Sequence, residues 1–189
     1  MITAIVLAAG AGARFGRTKQ VAEVRGKPLA QHAIDAAAEA GVDEIVVVLG
    51  HEAGRVREAL RMPAMARWVL NPAYDTGMAS SLAVGLRAAD PASEGAVVLM
   101  ADQPRITAQH VRALTDAFRA RRSPIVRLRF RNGPGPALLS RETWDEVAAL
   151  EGDVGARALM ERHPERVEDI EVEGEAPIDV DEPEDLELA

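Results

Sequence analysis

The sequence predicts an α/β fold: a mainly parallel sheet with helices on both faces, in three α/β/α layers. Three observations predict it. Apolar runs alternate with helical patterns along almost the whole 189-residue chain, the rhythm of repeated β–α units. Runs such as IVVVL and AVVLMA are apolar throughout, as suits strands buried on both faces. No repeat, low-complexity stretch or linker divides the chain, and its length fits one domain with a full core.

Ile2–Ala8 is the first strand. Pro28–Ala40 is a helix: Pro28 stands in its first turn, Gly41 stops it, and Leu29, His32, Ala33, Ala36, Ala37 and Ala40 form its apolar face. Glu44–Leu49 is the second strand, Ala53–Leu60 a short helix, Ala66–Leu70 the third strand and Met78–Ala89 the next helix. Ala96–Ala101 is the fourth strand; Thr107 caps a helix that runs to Arg121, and Ile125–Phe130 is the fifth strand. The rhythm then changes. Gly133–Pro136 reads as a rigid turn and Ala137–Leu139 as a short strand. Helices follow over Arg141–Leu150 and Gly155–Arg162, with Asp153 as a cap for the second. Val167–Val172 is a last strand at the sheet edge, so a small antiparallel edge is expected near the C-terminus.

Composition narrows the function classes. The chain has no cysteine, which excludes disulfides, thiolate catalysis and cysteine metal sites and fits a reducing cytoplasm. Its first apolar run has no basic region before it and meets glycine and charge too soon for a signal peptide or a membrane span. A net charge of -8 argues against general nucleic-acid binding. Of the 30 acidic residues, 15 lie in residues 151–189; this tail reads as a solubilising surface.

The chemistry concentrates after the first strand, in LAAGAGARFGRTKQ. Gly10, Gly12 and Gly16 permit backbone angles and close approaches that a side chain forbids. Such a turn can aim several N–H groups at one anion, and Arg14 and Lys19 add full positive charge. The stretch reads as a polyphosphate cradle for a nucleotide. It is not a Walker loop, because Arg17 and Thr18 follow Gly16. Nor is it the dinucleotide fingerprint, because the spacing from Gly12 to Gly16 is one residue too long.

Ligands of an open α/β sheet sit beyond the carboxyl ends of the strands. The glycine turn, Asn71–Ser81 and Asp102-Gln103-Pro104 should therefore converge on one crevice. Asp102 ends an apolar strand and is the candidate for magnesium, which binds nucleotides through one or two carboxylates plus phosphate oxygens; a turn residue or N-cap is the alternative. Ser80 and Ser81 stand near the start of a helix, where exposed N–H groups favour anions or base carbonyls; capping is the alternative. G-x-S-x-G is absent, so no nucleophile elbow is expected. His32, His51, His110 and His163 lack ligand spacing, and Trp68, Trp144 and Met100 read as packing residues. Arg127, Arg129 and Arg131 share one strand face, either a charge-guarded edge or a site for an anionic second substrate, with Arg131 the best placed.

These motifs together resemble the MobA-like nucleotidyltransferases. LAAGAGARFGRTKQ is similar to that family's L-A-[AG]-G-x-[GS]-x-R-[MF]-G-x-x-K signature, and Gly26-Lys27-Pro28-Leu29 continues it. Met100–Pro104 resembles the metal-binding G-D-x-P turn, and Asp179–Leu186 the closing D-[IV]-D-T-P-E-D-L. Asn71-Pro72 through Leu86 and Gly152–Arg157 are similar to the molybdenum cofactor cytidylyltransferase branch. The resemblance spans nearly the whole chain and implies a Rossmann-like sheet of the nucleotide-diphospho-sugar transferase type. It implies that Leu7, Ala8, Ala9 and Gly10 lie against the nucleotide and that Gly12, Arg14 and Lys19 hold the triphosphate. Ser81, with Gly77 and Ser80, would meet the base. Asp102 would carry Mg2+, with Asp181 completing the metal site or capping the last turn. Residues 1–106 would form the nucleotide half and 107–189 the acceptor half. The chain departs from the pattern at Ala101, at Glu182 and, above all, at Gly135, where the branch has a histidine facing the acceptor.

The implied reaction transfers CMP from CTP to a phosphorylated acceptor, a molybdopterin, with release of pyrophosphate and delivery to a molybdoenzyme client. Guanylyl or other nucleotidyl transfer, or a non-catalytic cofactor-delivery role, are the alternatives. No nucleic-acid or membrane partner is expected.

Overall fold

The structure, a computed structural model, describes residues 1–188, with the side chain of Ala13 left out. Ala189, the last residue of the acidic tail, lies outside the described residues.

Strands β1 (Ile2–Ala8), β4 (Glu44–Leu49), β5 (Ala66–Leu70), β6 (Gly95–Met100), β7 (Ile125–Phe130), β8 (Gly133–Ser140) and β9 (Val167–Glu171) form one sheet. A separate two-stranded ribbon, β2 (Glu23–Val24) and β3 (Lys27–Pro28), is antiparallel. The large sheet has the order β5-β4-β1-β6-β8-β7-β9. The pairs of β1 with β4 and β6, of β4 with β5 and of β7 with β9 are parallel; only β8 runs against its neighbours.

Helices α1 (Leu29–Ala40), α2 (Ala53–Ala59) and α4 (Ala108–Arg121) cover one face; α3 (Met78–Ala88), α5 (Trp144–Ala148) and α6 (Arg157–Arg162) cover the other. All seven residues of β1 are buried. Ile2, Ala4, Val6 and Ala8 pack under α1, while Ile5 and Leu7 pack under α3, as the two-residue period of a strand dictates. Each large apolar side chain so buried contributes roughly 1.5–3 kcal/mol over its exposed state.

The elements predicted through residue 130 are present, with helix and strand ends shifted by a residue or so. Gly41 closes α1 at φ 77°, and the Thr107 N–H at the head of α4 donates to His110 Nδ1 at 3.2 Å. Two expectations beyond that point need correction. Gly133–Pro136 is the start of β8 rather than a turn; the reversal occurs at Arg131-Asn132. Proline is tolerated there because β8 begins beyond its pairing with β6, which starts at Ala137. Asp153 does not cap α6: its Oδ1 accepts from the Met78 N–H at the head of α3.

The chain leaves β1 toward β4 and β5 on one side, then returns through α3 to β6 on the other. The strand order reverses between β1 and β6, which opens a crevice at their carboxyl ends. No described helix is long and apolar enough to cross a membrane.

Candidate functional site

A cleft of about 760 Å³ occupies that crevice. Leu7, Ala9, Gly10, Gly12, Arg14, Lys19, Gly77, Ser81, Asp102 and Asp181 all line it, so the three predicted loops do converge. Ala8 and Ser80 do not line it: Ala8 turns into the core beneath α1 and Ser80 borders a neighbouring surface hollow. Met100, expected as plain buried strand, is half-buried and faces the cleft. No histidine lines it among the described residues.

Lys19 is the centre of the arrangement. Its Nζ donates to Asp102 Oδ2 at 2.7 Å, to Asp181 Oδ1 at 3.0 Å and to the Val180 carbonyl at 3.2 Å. Arg14 donates to the other Asp181 oxygen at 2.6 Å. Burial would depress the Lys19 ammonium, but Asp102 and Asp181 outweigh it and raise its pKa above the ordinary value. Burial would likewise raise Asp181, and Lys19 and Arg14 overcome that to hold it low. Asp102 Oδ1 is buried without a hydrogen-bond partner. A buried carboxylate oxygen left so is costly unless a cation or donor reaches it. No group of three or more carboxylate or histidine ligands is gathered among the described residues. A two-carboxylate site fits Mg2+, which takes its remaining ligands from phosphate and water.

The acidic tail reaches this site through packing. Val180 is fully buried in a small cluster with Phe15, Ala22, Val24 and Leu29 beneath the glycine turn. Asp185 Oδ2 accepts the N–H groups of Asp181 and Glu182 at 2.9 and 2.8 Å. Capping of the last turn thus falls to Glu182 and Asp185, and the Asp181 side chain is left to the cleft. The tail's acids are not only a solubilising surface, as composition suggested. Asp179 also lines the cleft and accepts from Gln103 Nε2 at 2.7 Å. Burial, with Asp102 and Asp181 nearby, pushes its carboxyl up.

Sequence reasoning missed Gln20. Its Nε2 donates to the Gly10 carbonyl at 2.6 Å, which ties the glycine turn to the segment bearing Lys19, and its Oε1 is buried without a partner. Its place next to Lys19 was the only signal. Gly12 adopts φ 59°, and a Cβ there would stand 3.1 Å from the Arg17 carbonyl oxygen.

The opposite wall is built by Asn71. Its Nδ2 donates to Ser80 Oγ and Ser81 Oγ, both at 2.9 Å. Ser80 Oγ also donates to the backbone carbonyls of Ala73 or Gly77, so it secures the turn. Ser81, 5% exposed, is the serine that faces the cleft. Gly77 has φ 116°, and a Cβ there would lie 2.3 Å from Gly152 backbone atoms. Only glycine lets the 152–153 loop dock on α3.

A family model for the MobA-like NTP transferase domain matches residues 4–167. The chain belongs to that family. The transferase is 30% identical over 183 residues to nicotine blue oxidoreductase of Paenarthrobacter nicotinovorans, covering 93% of this chain and 89% of that one. It is 35% identical over 120 residues, 62% of this chain, to the bifunctional protein GlmU of Bordetella petrii. The chain spans only about a quarter of that relative's length, 26%. Among solved structures, Rv0371c of Mycobacterium tuberculosis H37Rv superposes with a TM-score of 0.87 at 32% identity, over 99% of this chain and 95% of that one. Rv0371c in complex with manganese gives a TM-score of 0.83. CMP:2-keto-3-deoxy-manno-octonic acid synthetase complexed with CTP, at 16% identity and a TM-score of 0.78, shares the fold.

The transferase has a second chamber of about 490 Å³ that shares Leu7, Met78, Met100, Asp153 and Asp179 with the first. Its floor includes Leu82, Ala137, Ala156 and Met160, and Gln103, Arg127 and Arg157 stand in its walls. Arg131, favoured from sequence as an anion contact, is 78% exposed, pairs with Glu175 at 2.5 Å and stands apart from this chamber. Arg127 is the strand arginine that lines it, held by Asp169 through two bonds of 2.7 and 2.9 Å. A Cβ at Gly135 would lie 2.4 Å from a Phe130 ring carbon. A side chain at the position where the resemblance would put histidine would therefore require the Phe130 ring to move.

Proposed function

We propose that this transferase moves CMP from CTP to a phosphorylated acceptor, a molybdopterin, in the cytoplasm, and serves a molybdoenzyme client. The observation that carries this reading is the meeting of Lys19 with Asp102 and Asp181 at the floor of the cleft. It joins the cation expected for a triphosphate to the carboxylates expected for its metal. Asp102 and Asp181 would hold Mg2+, which when bound withdraws charge from the phosphates and orients the leaving group. The buried, partnerless Asp102 Oδ1 supports that fit.

The chain's own residues supply position and charge. The turn from Leu7 to Gly12 lies along the nucleotide, and Ser81, anchored by Asn71, faces its base. The acceptor phosphate forms a bond to the α-phosphorus as the bond to pyrophosphate breaks in line. A phosphate is already anionic, so no side-chain nucleophile or general base is needed. Arg14 and Lys19 neutralise the charge that grows on pyrophosphate. The second chamber would seat the acceptor, much of it formed by residues beyond 106, in keeping with a nucleotide half over 1–106 and an acceptor half over 107–189.

A second reading draws on the relative named as an oxidoreductase: reduction with a nicotinamide dinucleotide in the same cleft. The failed dinucleotide fingerprint opposes it. One panel separates the two. The chain is incubated with Mg2+, molybdopterin and each of CTP, GTP, UTP and ATP, and pyrophosphate is assayed; NADPH oxidation is followed in parallel. Acceptor-dependent pyrophosphate release with CTP is expected. NADPH oxidation without pyrophosphate release from any nucleotide refutes the transfer reading.

A further inference from the structure

We propose that Lys19 is a resident counter-ion that keeps the metal out of the free chain, so that metal and nucleotide load together. This rests on reading the cleft as a triphosphate site.

The Lys19 ammonium has three N–H donors, and the chain provides three acceptors for them: Asp102 Oδ2, Asp181 Oδ1 and the Val180 carbonyl. The cation is fully coordinated by the chain's own oxygens. No donor remains for a phosphate until Lys19 leaves at least one of them. The Lys19 and Asp102 side chains are each only 14% exposed, where solvent ions screen a pair weakly. A divalent cation seeking the same two carboxylates meets an ammonium in its place, and like charges repel across that short distance.

The charges match a swap. In the free chain two cations, Lys19 and Arg14, neutralise two carboxylates, Asp102 and Asp181. A triphosphate offers both cations a more highly charged partner. Arg14, 69% exposed, stands on the cleft rim, where it can exchange its bond to Asp181 for one to phosphate. Once the cations turn to phosphate, the two carboxylates face a polyanion and need one dication between them. The two carboxylates then exchange two single charges for one double charge and stay neutralised, while Lys19 and Arg14 offset part of the triphosphate's charge. Asp102 Oδ1, which Lys19 does not reach, is the oxygen left ready for the incoming ion.

The test measures metal binding rather than turnover. Mn2+ is titrated into the nucleotide-free chain and free ion is counted by electron paramagnetic resonance, for the wild type, Lys19→Met and Lys19→Arg. Lys19→Met should bind Mn2+ roughly 5- to 150-fold more tightly than wild type, the usual span of coupling between sites. Lys19→Arg, which keeps the charge, should bind as weakly as wild type. Equal Mn2+ affinity in wild type and Lys19→Met overturns the proposal. Should Lys19→Met fail to fold, the wild-type chain carries the test. The Lys19 ammonium resonance, protected from exchange by its three acceptors, should shift when CTP is added in excess chelator; a resonance unmoved by bound CTP overturns the proposal. Absence of CTP binding by calorimetry would instead refute the nucleotide reading, and the Mn2+ comparison would still judge Lys19.

Discussion

The Val180 N–H donates to the Asp102 carbonyl at 3.0 Å, so the closing segment is fastened to the tip of β6 by a backbone bond. That bond, with Val180 buried beneath the glycine turn, sets Asp181 beside Asp102 and puts both on Lys19. The site is thus made from three distant stretches of chain held by main-chain geometry and apolar packing. Side-chain substitutions within it should alter chemistry before they alter folding.

Asp102→Asn tests the carboxylate directly. Lys19 retains Asp181 and the Val180 carbonyl, so the fold should persist, as circular dichroism would verify. Pyrophosphate release should fall by ~10²–10³, the loss typical of one preorganised electrostatic contact. Unchanged turnover would remove Asp102 from the reaction.

Gln20→Met keeps the shape of the side chain and deletes the donor to the Gly10 carbonyl. One net hydrogen bond is worth about 0.5–1.5 kcal/mol, so CTP affinity by calorimetry should weaken by roughly 2- to 13-fold. Turnover at saturating CTP should change little, because Gln20 positions the turn and does not touch the reacting atoms.

Ser81→Ala should narrow the discrimination between CTP and GTP, measured as the ratio of their kcat/KM values. Ser80→Ala should leave that ratio in place and lower the melting temperature instead, because Ser80 bonds to the turn and not to the cleft. Equal ratios in wild type and Ser81→Ala would separate Ser81 from base reading.

Gly77→Ala should destabilise the protein. Its φ of 116° is strained for any L side chain, at a cost of order 1–3 kcal/mol, and the added Cβ would collide with the Gly152 backbone. Calorimetry should record a lower melting temperature, and protease should cut faster in the displaced 150–155 loop.

Asp179 carries a pH signature. Burial and its acidic neighbours raise its pKa above the ordinary 3.8, so the folded chain keeps this proton to higher pH than the unfolded chain. Its contribution to stability is complete below the ordinary value and is lost as pH rises through the raised one. Asp179→Asn retains an oxygen for Gln103 and abolishes that loss. The variant should melt above wild type at neutral pH, and the gap should close on acidification. A gap independent of pH would contradict this.

The sequence by itself determined the α/β layering, the glycine-rich turn from Gly10 to Lys19 after the first strand and the position of Asp102. Each of these is a local signal: an apolar run, a glycine spacing, or an acid at a strand tip. Only the tertiary structure separated Ser81, which lines the cleft, from Ser80, whose hydroxyl bonds the turn. It alone turned Asp153 to α3, drew Gly133–Pro136 into β8 and chose Arg127 over Arg131 for the second chamber. It also brought the acidic tail home: the closing motif pointed to Asp181 as a metal ligand or a cap, and the burial of Val180 beneath the glycine turn puts its side chain in the cleft. Composition records which charges a chain holds, but the packing of apolar neighbours fixes where they point.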